Sequence, residues 1–385
     1  MMNREDIIKY RLACQHITGG PIEKPEDMVA WMGCVQAQDY AGAKWAVGSR
    51  LRSAGNAGQG PDAGPVSGAV QVADAGIEQA FVEGRIIRTH VLRPTWHFVA
   101  PADIRWMLAL TSPRVKAGCA GYRRQLGLDK EIFRRSNAIL KKALKGGKQL
   151  DRKALAMALQ RGGIHTGDER MGHLLMEAEL DGIICSGGLK GKQFTYALLE
   201  EWVPAGREIK KDEALAELTM RYFKSRGPAT LADFAWWSGL TIGDAKMGIE
   251  ANLSQFDKVT VEDRVYWYHT SISGAIVRAV SGKASVSGDR ASDMRVLPAF
   301  DEYTVAYTDR DLMLHPKHAL RGGNGIFKPV IIQDGQVVGI WKRTIKKGGV
   351  FIDTDLFKQV GKRALREAFA GYGAFVGKQV IFGEI

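Results

Sequence analysis

Cysteine is scarce in this chain. The four present, Cys14, Cys34, Cys119 and Cys185, lie far apart and form no Cys-x-x-Cys. That excludes a disulfide framework and zinc-ribbon spacing, and leaves small buried hydrophobes in a reducing cytoplasm as the expectation. No apolar run reaches the roughly 18 residues of a membrane-spanning helix. The opening Met1-Met2-Asn3-Arg4-Glu5-Asp6 lacks the basic-then-apolar order of a secretory signal, so the expected location is the cytoplasm. A Gly-x-x-x-x-Gly-Lys-Ser/Thr loop is absent, which removes the usual ATPase cradle, and no cofactor is expected. The pair His315 and His318 is interrupted by Pro316 and has no Cys or acid cluster beside it, so no metal is expected either.

Positive charge is what the chain has in excess. The formal net charge is +12 over 385 residues, with a pI near 9.5. Between Arg114 and Lys153 there are 13 Lys or Arg against three acids, which places +10 of the +12 in one segment. A concentrated basic block favours a polyanion, and nucleic acid is the common one in a cytoplasm. The plainer alternative is a solvated helical face between domains.

Hydrophobic periodicity divides the chain into similar stretches. Helices are expected over Met2–Ile17, from Pro25 into the segment Val35-Gln36-Ala37-Gln38-Asp39, and over Ala41–Leu51. Ser53 to Gly76 is rich in Gly, Ala and Ser and reads as a loop. A short helix at 77–83 and strands at 85–89 and 95–99, turning near Leu92-Arg93-Pro94, complete a helix-turn-helix unit with a β-ribbon. The order recurs. Helices at 129–145, 154–162 and 167–180 precede strands at 183–185 and 193–199, with Asp151 as an N-cap. Helices at 212–225, 231–238 and 241–253 precede a hairpin around Glu262-Asp263-Arg264. The last third changes to short apolar runs at 295–297, 305–307, 330–332, 337–341 and 349–352, with an Asp334-Gly335 hairpin turn, a helix over 354–370 and a strand over 378–382.

The expected fold is α+β and mainly α: three tandem winged-helix units and a C-terminal β-barrel. The boundaries read as 1–112, 113–207, 208–275 and 276–385.

Particular segments carry a resemblance. Val35-Gln36-Ala37-Gln38-Asp39, Arg93-Pro94-Thr95-Trp96-His97-Phe98-Val99, Gly227-Pro228-Ala229-Thr230 with Asp233-Phe234 and Trp237, Leu297-Pro298-Ala299-Phe300-Asp301-Glu302-Tyr303, and Lys328-Pro329-Val330 with Val338-Gly339-Ile340-Trp341 stand in an order and spacing. Together they resemble the winged helix DNA-binding family of bacterial crosslink-repair DNA glycosylases, the AlkZ/YcaQ-like proteins. The resemblance covers almost the whole chain. It implies tandem winged helices around a concave basic channel, and a catalytic Gln-x-Gln motif that falls by position on Gln36 and Gln38. Read from the residues alone, the same pair suits helix-end capping or interdomain hydrogen bonding better than catalysis.

Two glutamines limit the chemistry. An amide neither gains nor loses a proton near neutral pH, so it is a poor general base; it can hold water through its carbonyl oxygen and donate through its NH2. A purine already cationic through N3- or N7-alkylation leaves without being protonated, and positioned dipoles with one held water then suffice. The expected activity is a monofunctional DNA glycosylase acting on cationic N-alkylated purines or interstrand-crosslink adducts. The competing reading is a non-catalytic winged-helix DNA-binding protein, a regulator or architectural factor.

Expected DNA contacts are Arg88 and Arg93 on the first wing; Arg123, Arg124, Arg134, Arg135, Lys141 and Lys142 in the basic block; Lys190 and Lys192 at a glycine-rich wing tip; and Lys342, Arg343, Lys346 and Lys347 on a C-terminal hairpin. His97 reads as a ring packed beside Trp96, and Asp301-Glu302 as a structural polar contact. The partner expected is duplex DNA, bound by a monomer, with no membrane.

Overall fold

The structure, a computed structural model, describes residues 2–52, 73–271, 293–318 and 327–383. Most of the Ser53 to Gly76 loop expected from sequence lies outside the described residues, as does the boundary drawn at 275/276.

The first unit is α1 (Arg4–Cys14), α2 (Pro25–Met32), β1 (Cys34–Gln36), α3 (Tyr40–Gly48), α4 (Asp74–Val82), β2 (Ile87–Val91) and β3 (Arg93–Val99), with the strands in the order β1-β3-β2. The helix expected to run from Pro25 into the glutamines stops at Met32. Gly33, at φ +72°, ends the helix, and Cys34-Val35-Gln36 forms a strand antiparallel to β3. An L side chain rarely tolerates that φ, so the glycine is what lets the chain turn from helix to strand within one residue. Asp39 then caps α3 by accepting from the Gly42 N–H at 3.1 Å. Arg93, expected in a turn, opens β3; Leu92 alone turns the hairpin, at φ +61°.

The second unit begins with α5 (Ile104–Gln125), which runs through the 112/113 boundary. It continues through α6 (Lys130–Leu144), β4 (Leu150–Asp151), α7 (Arg152–Arg161), α8 (Arg170–Leu180), β5 (Ile184–Lys190) and β6 (Gln193–Leu198), with sheet order β4-β6-β5. Asp151 caps α7 through the Ala154 N–H at 2.8 Å. After α9 (Leu199–Trp202) the third stretch is α10 (Lys211–Arg226), α11 (Leu231–Ser238) and α12 (Ile242–Glu250), then the hairpin β7 (Phe256–Val261) and β8 (Arg264–His269). Reciprocal capping boxes, Thr230 with Asp233 and Thr241 with Asp244, start α11 and α12.

The C-terminal part holds β9 (Met294–Leu297), β10 (Val330–Gln333), β11 (Gln336–Lys346), β12 (Gly349–Leu356) and β13 (Val380–Phe382). These form one sheet in the order β13-β12-β11-β10-β9. No ladder joins β9 to β13 among the described residues, so the expected barrel is corrected to an open five-stranded sheet. A helix at Lys362–Val376, beginning later than expected because β12 continues to Leu356, packs against that sheet. Val305-Ala306-Tyr307 is not a strand. Asp301 caps a single turn, Glu302–Val305, and Tyr303 and Tyr307, four residues apart, both bury fully.

Three large apolar clusters organise the described residues. One joins α1 and β2 to α10, α11 and the 297–314 segment; a second joins α2, α3 and α4 to the C-terminal sheet; the third belongs to the second unit alone. The second cluster includes Trp45 against Tyr372 and Phe375, with ring centroids 5.3 and 5.1 Å apart, and Trp341 against Phe369 at 5.2 Å. The Gln36–Gln38 segment therefore leaves β1 between the first and second clusters.

Candidate active site

Gln36 pairs with His97 across β1 and β3, and the Ala37 N–H donates to the Trp96 carbonyl at 2.7 Å, which carries the pairing one residue past the strand. Side chains alternate along an extended chain, so Gln36 and Gln38 share a face with Thr95 and His97, while Val35 and Ala37 turn into the core. Gln36 is buried at 8% exposure and Gln38 is exposed.

Both amides are engaged from β3. Arg93 Nη2 donates to Gln36 Oε1 at 3.0 Å, and Thr95 Oγ1 donates to Gln38 Oε1 at 2.9 Å. His97 Nδ1 lies 2.9 Å from the Thr95 carbonyl, which can only accept, so the proton sits on Nδ1. Its Nε2 then faces Arg93 Nη2 at 3.4 Å as an acceptor. Burial, and next the Arg93 charge, hold the His97 pKa well below the ordinary histidine value. Burial also lowers the Arg93 pKa, opposed by the Glu302 carboxylate; the guanidinium stays charged at neutral pH.

A buried ion pair fixes the strand from behind. Glu302 Oε1 accepts the Gln36 backbone N–H at 2.9 Å. Its Oε2 accepts from Arg226 Nη2 at 2.6 Å, Arg226 Nε at 3.0 Å and the Trp237 indole at 3.0 Å. Arg226 also donates to the Met32 and Cys34 carbonyls at 2.7 and 2.9 Å, which spans the bend at Gly33. Beside it Arg50 holds Asp301 with contacts of 2.6 and 2.9 Å and reaches Gln15 at 3.2 Å. Four segments distant in sequence thus meet at one strand end.

A family model described as DNA glycosylase AlkZ-like matches residues 29–375. The chain belongs to the AlkZ-like DNA glycosylase family. An interstrand DNA cross-link repair glycosylase of Streptomyces sahachiroi is 28% identical over 186 residues, 44% of this chain and 46% of that relative. The match therefore spans less than half of that relative's length. The solved structure of Streptomyces sahachiroi DNA glycosylase AlkZ superposes with a TM-score of 0.76 at 21% identity, covering 99% of this chain and 100% of that one. At that identity the likeness carries the fold.

In this AlkZ-like chain two basic hairpins flank the glutamines. On one side Arg343 of β11 pairs with Asp39, next to Gln38, at 3.2 Å. This seats the hairpin that carries Lys342, Lys346 and Lys347, all exposed. On the other side Phe194 of β6 meets the Tyr40 ring at 4.9 Å, and Ser186 Oγ accepts the Arg88 backbone N–H at 2.8 Å. That seats the wing whose tip carries exposed Lys190 and Lys192.

The arginines expected at phosphate divide by burial. Arg88 is buried, lies 4.4 and 4.7 Å from the Trp96 and Phe194 rings, and donates to the Ala37 carbonyl at 3.1 Å. Its guanidinium holds the glutamine segment, which corrects its assignment as a surface contact. Arg93 is likewise committed to Gln36. Arg123 is buried and paired with Glu177 at 2.6 Å, a second correction. Arg124, Arg134, Arg135, Lys141 and Lys142 are exposed; Arg134 pairs locally with Glu131 and Lys141 with Glu200.

Arg226 and Glu302 as supports of Gln36 were missed by sequence reasoning. The Asp301-Glu302 pair reads as structural from its neighbours Pro298, Phe300 and Tyr303, but nothing local names Arg226 as its partner.

Proposed function

We propose that this chain binds duplex DNA and acts as a monofunctional DNA glycosylase, excising cationic N-alkylated purines or interstrand-crosslink adducts, with Gln36 and Gln38 as its catalytic residues. Family membership supports the reaction class. The observation carrying the site is the pair of amides, side by side on an extended segment and anchored by Arg93, Thr95 and Glu302, with no lysine or carboxylate bonded to either side-chain amide among the described residues.

In the reaction, water forms a bond to C1′ while the C1′–N bond breaks and its electron pair goes to the departing base. The base was cationic, so it leaves neutral and takes up no proton. The proton lost by the water goes to solvent. The products are the free base and an abasic site, with the strand intact. Amide dipoles suffice because no group has to be protonated on the leaving side. A bulky adduct does not fit a tight flipping pocket, so an exposed site is consistent with acting on a lesion left near the duplex.

Three winged-helix units are proposed to present the basic surface, with Lys190 and Lys192 at one tip, Lys342, Lys346 and Lys347 at the other, and Arg124, Arg134, Arg135, Lys141 and Lys142 leaning on the phosphates. Arg343 is proposed to reach DNA only by leaving Asp39.

The test is base release from duplex DNA carrying N7-methylguanine. Wild type should release the base, and Gln36→Ala/Gln38→Ala should bind equally and release far less. Release of uracil at a comparable rate would count against the cationic-substrate requirement. A sequence-specific footprint indifferent to both substitutions would favour the non-catalytic alternative.

A further inference from the structure

We infer that Arg93 is a positioning residue that gives the two glutamines different jobs: Gln36 is locked as a hydrogen-bond donor, and Gln38 is the one free to hold the water. The inference rests on the glycosylase reading above and assigns roles within it.

A guanidinium has five N–H donors and no acceptor. The Gln36 atom 3.0 Å from Arg93 Nη2 must therefore be the carbonyl oxygen, whatever the rest of the site does. The other hydrogen of Nη2 is aimed at His97 Nε2, which is an acceptor because Nδ1 is committed to the Thr95 carbonyl. Rotating the Gln36 amide by half a turn would set NH2 against N–H at a buried position, and burying an unpaired donor costs about 1–3 kcal/mol. The backbone is fixed as well, since the Gln36 N–H is held by Glu302. Gln36 Nε2 has no partner among the described residues, so the locked amide presents its NH2 as the free group.

Gln38 differs in each respect. Its partner, Thr95 Oγ1, is a hydroxyl that can donate or accept. Either face of the amide suits it, and the side chain is exposed. Its carbonyl oxygen also keeps a second lone pair with Thr95 in place. Gln38 can therefore turn an acceptor to the attacking water from an exposed side chain, whereas the Gln36 oxygen is buried at 8% exposure with one lone pair already taken by Arg93. A fixed donor at Gln36 suits the other half of the reaction, where the electron pair of the broken C1′–N bond builds up on the departing base.

The two roles separate under isosteric substitution. Gln36→Glu keeps an oxygen for Arg93 and the same shape but removes the donor; Gln38→Glu keeps, and strengthens, an acceptor. Single-turnover release of N7-methylguanine should fall roughly 100-fold for Gln36→Glu, the usual loss for one preorganised donor. Gln38→Glu should release at least about tenfold faster than Gln36→Glu. Arg93→Met should slow release about 10–100-fold in the wild-type background, through lost orientation. It should add little in the Gln36→Glu background, because it acts through Gln36, whereas damage to the fold would slow every background alike. Arg93→Lys, which keeps a donor, should recover part of the loss. DNA affinity and the unfolding midpoint are measured in parallel. Equal losses for the two Glu variants, or a greater loss at Gln38, overturn the division of roles while leaving the glycosylase reading standing. No release by wild type from any cationic lesion overturns both.

Discussion

Glu302→Gln is the substitution that most directly separates the site from the fold around it. Glu302 is 1% exposed and Arg226 is fully buried, and three N–H groups converge on Oε2. A glutamine there meets them with NH2, or turns and offers NH2 to the Gln36 N–H. In either pose a buried donor faces a donor and the Arg226 charge loses its counter-charge. Breaking a buried pair from one side costs about 3–5 kcal/mol. With a urea m-value of about 3 kcal/mol/M, the midpoint should drop by roughly 1–2 M. Asp301→Asn is the comparison, since it breaks the neighbouring Arg50 pair without touching Gln36. Both variants should be destabilised by similar amounts. Only Glu302→Gln should also slow base release at urea-free, low temperature, where each is folded, because only it frees the Gln36 backbone. Midpoints would be followed by tryptophan fluorescence, which Trp237 makes sensitive to this region. A Glu302→Gln midpoint within about 0.3 M of wild type, or equal slowing of release by both variants, would refute the clamp.

The acid side of the stability curve follows from two histidines. Burial, then Arg50, lowers the His16 pKa to about 4, and burial, then Arg93, holds that of His97 well below the ordinary histidine value. A depressed histidine stays neutral in the fold while the unfolded chain takes up its proton. Each should therefore subtract about 1.4 kcal/mol per pH unit below about pH 6.5, a loss that His16 completes near pH 4 and that is absent above pH 7; urea midpoints from pH 7.5 to 5 for wild type and His16→Gln would measure the share. Lys190→Ala and Lys192→Ala should each shallow the slope of log K against log salt by about 0.9 if each meets a phosphate. Arg88→Met should leave that slope unchanged and lower stability, and an altered slope would return Arg88 to the DNA surface. Among the thiols, Cys14, Cys34 and Cys185 are buried with pKa values pushed far up, whereas Cys119 is half-buried. A thiol reagent on the native protein should therefore modify Cys119 first.

Much of the local structure is legible in the sequence because its causes are local. Asp151 and Thr230 announce helix starts through side-chain caps, and Asp334-Gly335 announces a hairpin through two residues at positive φ. The strand entering Val35–Gln38 also has a local cause. The run Val-Gln-Ala-Gln alternates apolar and polar residues, which is a strand's period, and Gly33 precedes it. The open sheet was not legible, because strand count and short apolar runs are the same for a sheet that closes and one that does not. The burial of Arg88 and Arg123 was not legible either. A guanidinium at the surface and one stacked between Trp96 and Phe194 look alike until the second wing is placed against the first.

The candidate site shows why motif and function separate at this level. Gln-x-Gln is two common residues. What makes the pair unusual is Arg93 four residues ahead of the ring it shares, Glu302 more than 260 positions away, and Arg226 closing the bend at Gly33. The Arg93, Arg226 and Glu302 groups are charged and largely buried, and a protein retains such groups at a cost in stability unless their geometry is used. Here one carboxylate holds the Gln36 backbone and one guanidinium holds its side chain, from opposite sides. Neutral amides have no charge with which to compensate for a misplaced contact, so a site made of them depends on orientation more than one made of carboxylates does. A relative of this chain with both glutamines but an apolar residue at position 93 should therefore bind DNA and turn over slowly. Introducing arginine there should raise the single-turnover rate without tightening binding; tighter binding with no gain in rate would mean that residue 93 meets the phosphate and not the amide.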